Sequence, residues 1–262
     1  MGWREGKIVS VAATFGVLRA YESDVITNNV RNFGAHTRPE LAFLCSVIEP
    51  GDRVFDLGAH IGTFAIPMAQ CVGAAGLVVA VEAVAESFAL LVENISVNNL
   101  AGRIRPIQAV ISQGSYNYAP QFVDINSGAT HFVRTEDRAA APSLSIDDIA
   151  AMEVTPDVIK IDIEGLELDA LRDSKTIRAQ RPVIYAEVSL NHLARYGATI
   201  DDFDRFLRSL DYRMFRNVGD HNGAHDNFIP AELKELSECG KFCDVLAIAS
   251  DSARLSRFVP RL

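Results

Sequence analysis

The run Val54-Phe55-Asp56-Leu57-Gly58-Ala59-His60-Ile61-Gly62 combines an acid, a histidine and two glycines at a spacing suited to ligand binding. Val54 to Leu57 reads as a buried strand and Gly58 to Gly62 as the tight turn after it. Thr63 to Ala69 then opens a helix, and a second apolar run, Leu77 to Val81, ends in Glu82 and Ala83. Strand, glycine turn, helix, strand and acid form the unit by which a doubly wound sheet holds a nucleoside cofactor. The glycines let the backbone approach the ligand, and Glu82 has lone pairs for two ribose hydroxyls. Asp56, Gly58, His60, Gly62, Thr63, Glu82 and Ala83 are the candidate cofactor contacts.

The turn discriminates between cofactors. A dinucleotide site prefers G-x-G-x-x-G, because its pyrophosphate rests on the helix N-terminus. Here only Gly58 and Gly62 are present, with His60 in the middle position. Asp56 also aims a carboxylate at the turn. That charge repels an anion and attracts a cofactor carrying an ammonium and a sulfonium, which favours S-adenosylmethionine over NAD.

A second constellation is Lys160-Ile161-Asp162-Ile163-Glu164-Gly165-Leu166-Glu167. Lys160 and Asp162 share one face of a strand by period 2. In open α/β sheets ligands bind beyond the carboxyl ends of the strands, near the switch in strand order, so Asp162 should emerge beside Asp56. Glu187 ends the next strand in the same way. Two carboxylates on neighbouring strand ends make a seat for a hard divalent cation such as Mg²⁺, with Asp162 and Glu187 as ligands. Glu164 joins them as a candidate catalytic group, and Glu167 suits the start of a helix. Glu164, His192 and His221 are candidate bases, the histidines by their intrinsic pKa. His221 and His225 have the i, i+4 spacing of zinc ligands, but Asn222-Gly223 breaks a helix there. The segment reads better as a substrate or lid loop.

Elements that position these groups follow along the chain. Residues 1–50 form a lead-in packing on the core or the substrate side, with strand-like residues from Ile8 to Tyr21. Asp24 to Val30 follows, and a helix begins at Pro39 and ends before Pro50-Gly51. The spacing predicts strands at 54–57, 77–82, 104–111, 158–163, 181–188, 212–215 and 244–249. It predicts helices at 63–72, about 86–99, 145–149, 166–172 and 203–210. Segment 112–145 breaks the alternation and reads as a hairpin-like insertion over a site, with strand pieces at 121–123 and 131–133. Residues 51–262 thus form one doubly wound, mostly parallel seven-stranded α/β domain.

Bulk properties narrow the class. The chain has 262 residues, 48% hydrophobic and 23% charged, as a globular enzyme does. A net charge of −9 argues against nucleic acid as partner. No apolar stretch reaches membrane-spanning length, and Met1 to Lys7 lacks the apolar core of a signal peptide. Cys45, Cys71, Cys239 and Cys243 have no zinc spacing and read as reduced thiols of a cytoplasmic protein.

From about Asp24 to Ala249 the chain resembles FkbM-type S-adenosylmethionine-dependent methyltransferases. The resemblance rests on Phe55 to Gly62, Val81-Glu82, Leu144 to Ile149, Ile159 to Glu167 and Ala186-Glu187. Its most specific part is Lys-Ile-Asp-Ile-Glu-Gly-x-Glu. Two positions depart from the pattern: His60 stands where Asn is common, and Ala83 where Pro is usual. The resemblance implies a class I, Rossmann-like methyltransferase fold and O-methylation of hydroxyls, on sugars or natural-product cores.

The resulting expectation is a cytoplasmic, S-adenosylmethionine-dependent O-methyltransferase acting on a carbohydrate hydroxyl, with Mg²⁺ assistance. The acceptor is a small molecule or oligosaccharide, and homodimerisation is left open. The alternatives are a non-sugar natural-product hydroxyl, an NAD-dependent sugar oxidoreductase and a catalytically silent adenosyl-binding module. The missing third glycine opposes the oxidoreductase. The intact Asp162, Glu164 and Glu187 oppose the silent module.

Overall fold

Beyond Pro50-Gly51 the chain alternates apolar strands with amphipathic helices, and a parallel sheet results. The computed structural model describes residues 6–114, 116–124, 126–137 and 141–258. Parts of the expected insertion and most of the Met1–Lys7 segment lie outside these.

The N-terminal segment forms an antiparallel hairpin, β1 (Ile8–Ala13) and β2 (Gly16–Tyr21), then α1 (Val25–Phe33) and α2 (Arg38–Cys45). Asp24 caps α1 by accepting from the Ile26 N–H. The doubly wound unit follows: β3 (Arg53–Leu57), α3 (Ala65–Cys71), β4 (Leu77–Glu82), α4 (Ala85–Val97) and β5 (Ile104–Gln108). The insertion holds β6 (Val110–Ile111), β7 (Asn117–Gln121), β8 (His131–Thr135) and β9 (Ala141–Leu144). Next come α5 (Ile146–Met152), β10 (Val158–Ile161), α6 (Glu167–Arg172), α7 (Lys175–Gln180), β11 (Val183–Ser189), α8 (Leu190–Arg195) and α9 (Ile200–Ser209). β12 (Tyr212–Asn217), β13 (Pro230–Leu233) and β14 (Phe242–Ala249) complete the sheet.

Among the described residues the main sheet has eight strands in the order β13-β12-β14-β11-β10-β3-β4-β5. β3, β4, β5, β10 and β11 are parallel, while β14 runs antiparallel to β11 and β12. The chain moves outward one way from β3 through β4 to β5, and the other way from β10 to β11. The switch in order therefore lies between β3 and β10. Successive residues face opposite layers: Val54, Val78 and Val158 pack in one cluster, Phe55, Val79 and Ile159 in the other. With both faces covered, these strands read as unbroken apolar runs.

Seven expected strands are all present, and β13 is an eighth. The expected strand 104–111 is two: β5 ends at Gln108, and Val110–Ile111 leaves to pair with β9. Pro106 fits β5 because that strand lies at the sheet edge. The insertion is a hairpin whose first strand is Asn117–Gln121, not 121–123. Its register is set by Tyr118 and Phe132, which pack with Ile61, Val84 and Leu90. Helix α3 starts two residues later than expected, at Ala65. Cys239 and Cys243 are joined as a disulfide rather than free. A 3-10 turn at Leu236–Cys239 and the left-handed Gly240 fold the chain back, bringing their Cα atoms to 5.3 Å. Cys45 and Cys71 are free.

Lead-in residues pack on the same core: Val11, Leu18, Val30 and Phe43 share a cluster with Val54, Met68 and Ile248. Buried Asn94 of α4 ties the hairpin to the glycine turn. Its side chain bonds the Arg19 backbone N–H and C=O, and donates to the Ile61 carbonyl.

Candidate functional site

The carboxyl ends of β3, β4, β10 and β11 open into one cavity of about 460 Å³. Gly58 stands at the switch point with φ +84°, and a Cβ there would sit 1.8 Å from the Asp162 carbonyl oxygen. Only glycine permits this close approach of β3 and β10. His60 also takes a left-handed conformation, at φ +50°. Such backbone is costly for a side-chain-bearing residue and gathers at ligand sites.

On the β4 side the buried Glu82 carboxylate accepts from the His60 N–H at 2.8 Å and from the Val84 N–H at 2.7 Å. Burial pushes its pKa up to about 7, although those bonds and Lys160 oppose the rise. Each oxygen keeps a lone pair for a ligand hydroxyl. The His60 ring bonds the Ser127 hydroxyl at 2.7 Å, so the insertion docks on the glycine turn. Burial lowers the His60 pKa to about 4, which keeps the ring neutral at pH 7. Thr63, Phe64 and Ala83 line the same end.

Lys160 sits between the halves. Its Nζ donates to the Gly58 carbonyl at 3.0 Å and lies 3.5 Å from both Asp56 and Asp162. Burial opposes its charge, but Asp162, Asp56 and Glu187 outweigh this and hold the ammonium above the usual lysine range. Asp56 does not line the cavity. It is fully buried behind Lys160, with burial lifting its pKa to about 6. Its carboxylate faces the Lys160 ammonium and the Ala65 backbone, both of which oppose that rise. Gly62 also lies away from the cavity, against Leu91 and Ile66.

The other half is an acidic wall. Asp162, Glu164 and Glu187 line it, as expected from their strand ends. Glu164 is 8% exposed and holds φ +58°. Burial, then the charges of Asp162 and Glu187, raise its pKa to about 8. Burial and Asp162 likewise push Glu187 well above the carboxylate range. His192 of α8 places Nδ1 3.2 Å from Glu164 and 3.3 Å from Glu187. Glu167 opens α6 as expected, and its carboxylate turns inward. It accepts from the Ile163 and Gly165 N–H groups and so shapes the turn that carries Glu164.

His221 also reaches the cavity, from the loop between β12 and β13. Its Nδ1 pairs with Glu40 of α2 at 2.5 Å. Buried Glu40 further accepts from Tyr185 at 2.9 Å and Asn217 at 3.0 Å. Asp244, register partner of Glu187, stands beside it. Glu40, Tyr185, Asn217 and Asp244 escape sequence reading. Glu40 follows Pro39 and looks like an ordinary first-turn acid, while Asp244 merely opens an apolar strand. Among the described residues two groups have metal-donor spacing, Glu164–Glu187–His192 and Glu40–His221–Asp244. Asp162 belongs to neither and instead faces the Lys160 ammonium.

This sheet order and switch-point cavity define a class I methyltransferase fold. Residues 56–214 match the model of the methyltransferase FkbM domain, and the chain belongs to that family. Among solved structures, methyltransferase FkbM from Methylobacillus flagellatus KT is 19% identical, covering 83% of this chain and 52% of that one, with a TM-score of 0.47. TYW2 from M. jannaschii in complex with AdoMet is 14% identical, covering 93% of this chain and 85% of that one, at a TM-score of 0.45. A 53-residue stretch is 43% identical to the 23S rRNA (uracil(1939)-C(5))-methyltransferase RlmD of Acinetobacter baumannii (strain SDF). That match covers 20% of this chain and 11% of the relative, about a tenth of its length.

Proposed function

We propose that this chain is an S-adenosylmethionine-dependent O-methyltransferase whose acceptor is a carbohydrate hydroxyl. One observation carries the reading: a single cavity joins the nucleoside end at Glu82 to the acidic wall of Asp162, Glu164 and Glu187. The chain fits the cofactor at its nucleoside end. Glu82 is preoriented by two backbone bonds, and its remaining lone pairs suit ribose hydroxyls. Gly58 leaves room where a Cβ would block the turn. When bound, S-adenosylmethionine supplies a methyl group already activated by its sulfonium. The chain then has to hold an acceptor oxygen in line with that carbon and exclude water.

Acidic groups favour a polyol. Asp162, Glu164 and Glu187 offer carboxyl oxygens to hydroxyls at several points of the wall. Those acids and His221 are the candidates to receive the hydroxyl proton. Mg²⁺ held by Asp162 and Glu187 is the finer reading. It competes with Lys160, whose ammonium already lies 3.5 Å from Asp162. A natural-product hydroxyl is the second acceptor class. RNA is disfavoured by the net charge of −9.

Calorimetry should detect S-adenosylmethionine or its demethylated product and no NAD. Labelled-methyl transfer to a panel of saccharides, with and without chelator, then tests the acceptor and the Mg²⁺ requirement. NAD binding would overturn the cofactor assignment. Transfer to non-sugar hydroxyls alone would overturn the acceptor class.

A further inference from the structure

We propose that Glu164, Glu187 and His192 form a binding site for one divalent transition-metal ion at the acceptor end of the cavity. Binding itself stands independently of the reaction proposed above; only its use in activating an acceptor hydroxyl rests on that reading.

The donors are already gathered. His192 Nδ1 lies 3.2 Å from Glu164 Oε2 and 3.3 Å from Glu187 Oε1, and all three donor atoms lie within 4.8 Å of one another. Ligands about 2.0–2.2 Å from a common ion stand roughly 3–3.5 Å apart at octahedral or tetrahedral angles. Both separations meet that requirement.

Two of the three donor atoms accept or donate no hydrogen bond among the described residues. Glu164 is 8% exposed, and its Oε2 accepts no hydrogen bond from the described residues. His192 Nδ1 is likewise buried and without one. Buried polar atoms are nearly always hydrogen-bonded, so these two, facing each other at 3.2 Å without that geometry, are placed to share a cation. Arg195 approaches Glu164 Oε2 only to 3.8 Å. The Glu40–His221–Asp244 group differs, because Glu40 is already engaged by Tyr185, Asn217 and His221.

The backbone is shaped to hold the set. Glu164 keeps its left-handed φ of +58°, and Gly165 follows at φ +114°. A Cβ at Gly165 would sit 2.2 Å from the His192 carbonyl oxygen, so the Glu164 turn and α8 meet there. The imidazole decides the class of ion. Mg²⁺ prefers oxygen alone, whereas one nitrogen with two carboxylates suits Mn²⁺, Co²⁺ or Zn²⁺. Three protein ligands leave coordination positions open, and Glu164 and Glu187 both line the cavity.

The test uses chelator-stripped full chain, without cofactor or acceptor, titrated with Co²⁺ by calorimetry and visible absorption. One equivalent should bind, with ligand-field bands perturbed from those of the aqueous ion. His192→Ala and Glu187→Gln should each weaken binding at least tenfold, while His221→Ala leaves it unchanged. Circular dichroism establishes that each variant is folded, and Glu164→Gln replaces any that is not. Absence of stoichiometric binding overturns the proposal, as does equal binding by His192→Ala or loss in His221→Ala. S-adenosylmethionine calorimetry on the stripped protein separates this outcome from failure of the methyltransferase reading.

Discussion

The backbone N–H of His60 donates to Oε2 of Glu82 at 2.8 Å. The glycine turn after β3 and the acid at the end of β4 are therefore joined before a nucleoside arrives. Removing the carboxylate should loosen the turn as well as delete ligand contacts. Glu82→Ala is expected to raise the S-adenosylmethionine Kd about 100-fold, ~2.7 kcal/mol, as charged hydrogen bonds of this kind warrant. Unchanged affinity by calorimetry would refute the role.

Glu82 should also leave a pH signature on stability. Burial raises its folded pKa from 4.5 to about 7, while Lys160 opposes and Asp56 adds to the rise. Between those values the folded state binds the proton more tightly than the unfolded chain. The contribution is therefore full below pH 4.5 and lost as pH rises through 7. Relative to Glu82→Gln, the wild type should lose on the order of 2–3 kcal/mol of unfolding free energy from pH 4 to pH 8. Denaturant titrations across that range measure the difference, and a flat difference would contradict the assignment.

The loop 218–229 is tethered to α2. Arg38 makes a bidentate pair with Asp226, at 2.6 and 3.0 Å, and donates to the Ala224 carbonyl at 3.0 Å. Asp226 is largely exposed, so the pair is screened. Arg38→Ala should speed amide exchange in the loop about two- to fivefold, leaving S-adenosylmethionine affinity unchanged. Exchange rates equal to the wild type would show that the His221–Glu40 pair and the bonds of Asn217 and Val218 hold the loop without Arg38.

Period-2 burial made the central strands readable, because β3, β4, β10 and β11 are covered on both faces and carry few polar residues. The strand-end acids Glu82, Asp162 and Glu187 followed from the same logic, and they do line one cavity. Asp56 holds its expected strand position, but Lys160 stands between it and the cavity. That pairing depends on the register Lys160–Asp56 across two strands distant in sequence. The insertion was harder: Tyr118-Ala119-Pro120 gives no clean alternation, and its pairing is set by burial of Tyr118 and Phe132. Glu40 was illegible because its partners Tyr185, Asn217 and His221 come from distant segments.

Val25, Ile26, Asn29, His36, Thr37 and Glu40 line the cavity, yet all precede the family-matched segment, which starts at residue 56. The shared segment supplies Glu82, Asp162 and Glu187, whereas α1 and α2 supply an opposing wall. Substitutions in these two helices would therefore reshape that wall while leaving Glu82, Asp162 and Glu187 in place. A fragment trimmed to the matched boundaries would lack that wall and also β14, the strand that joins β11 to β12.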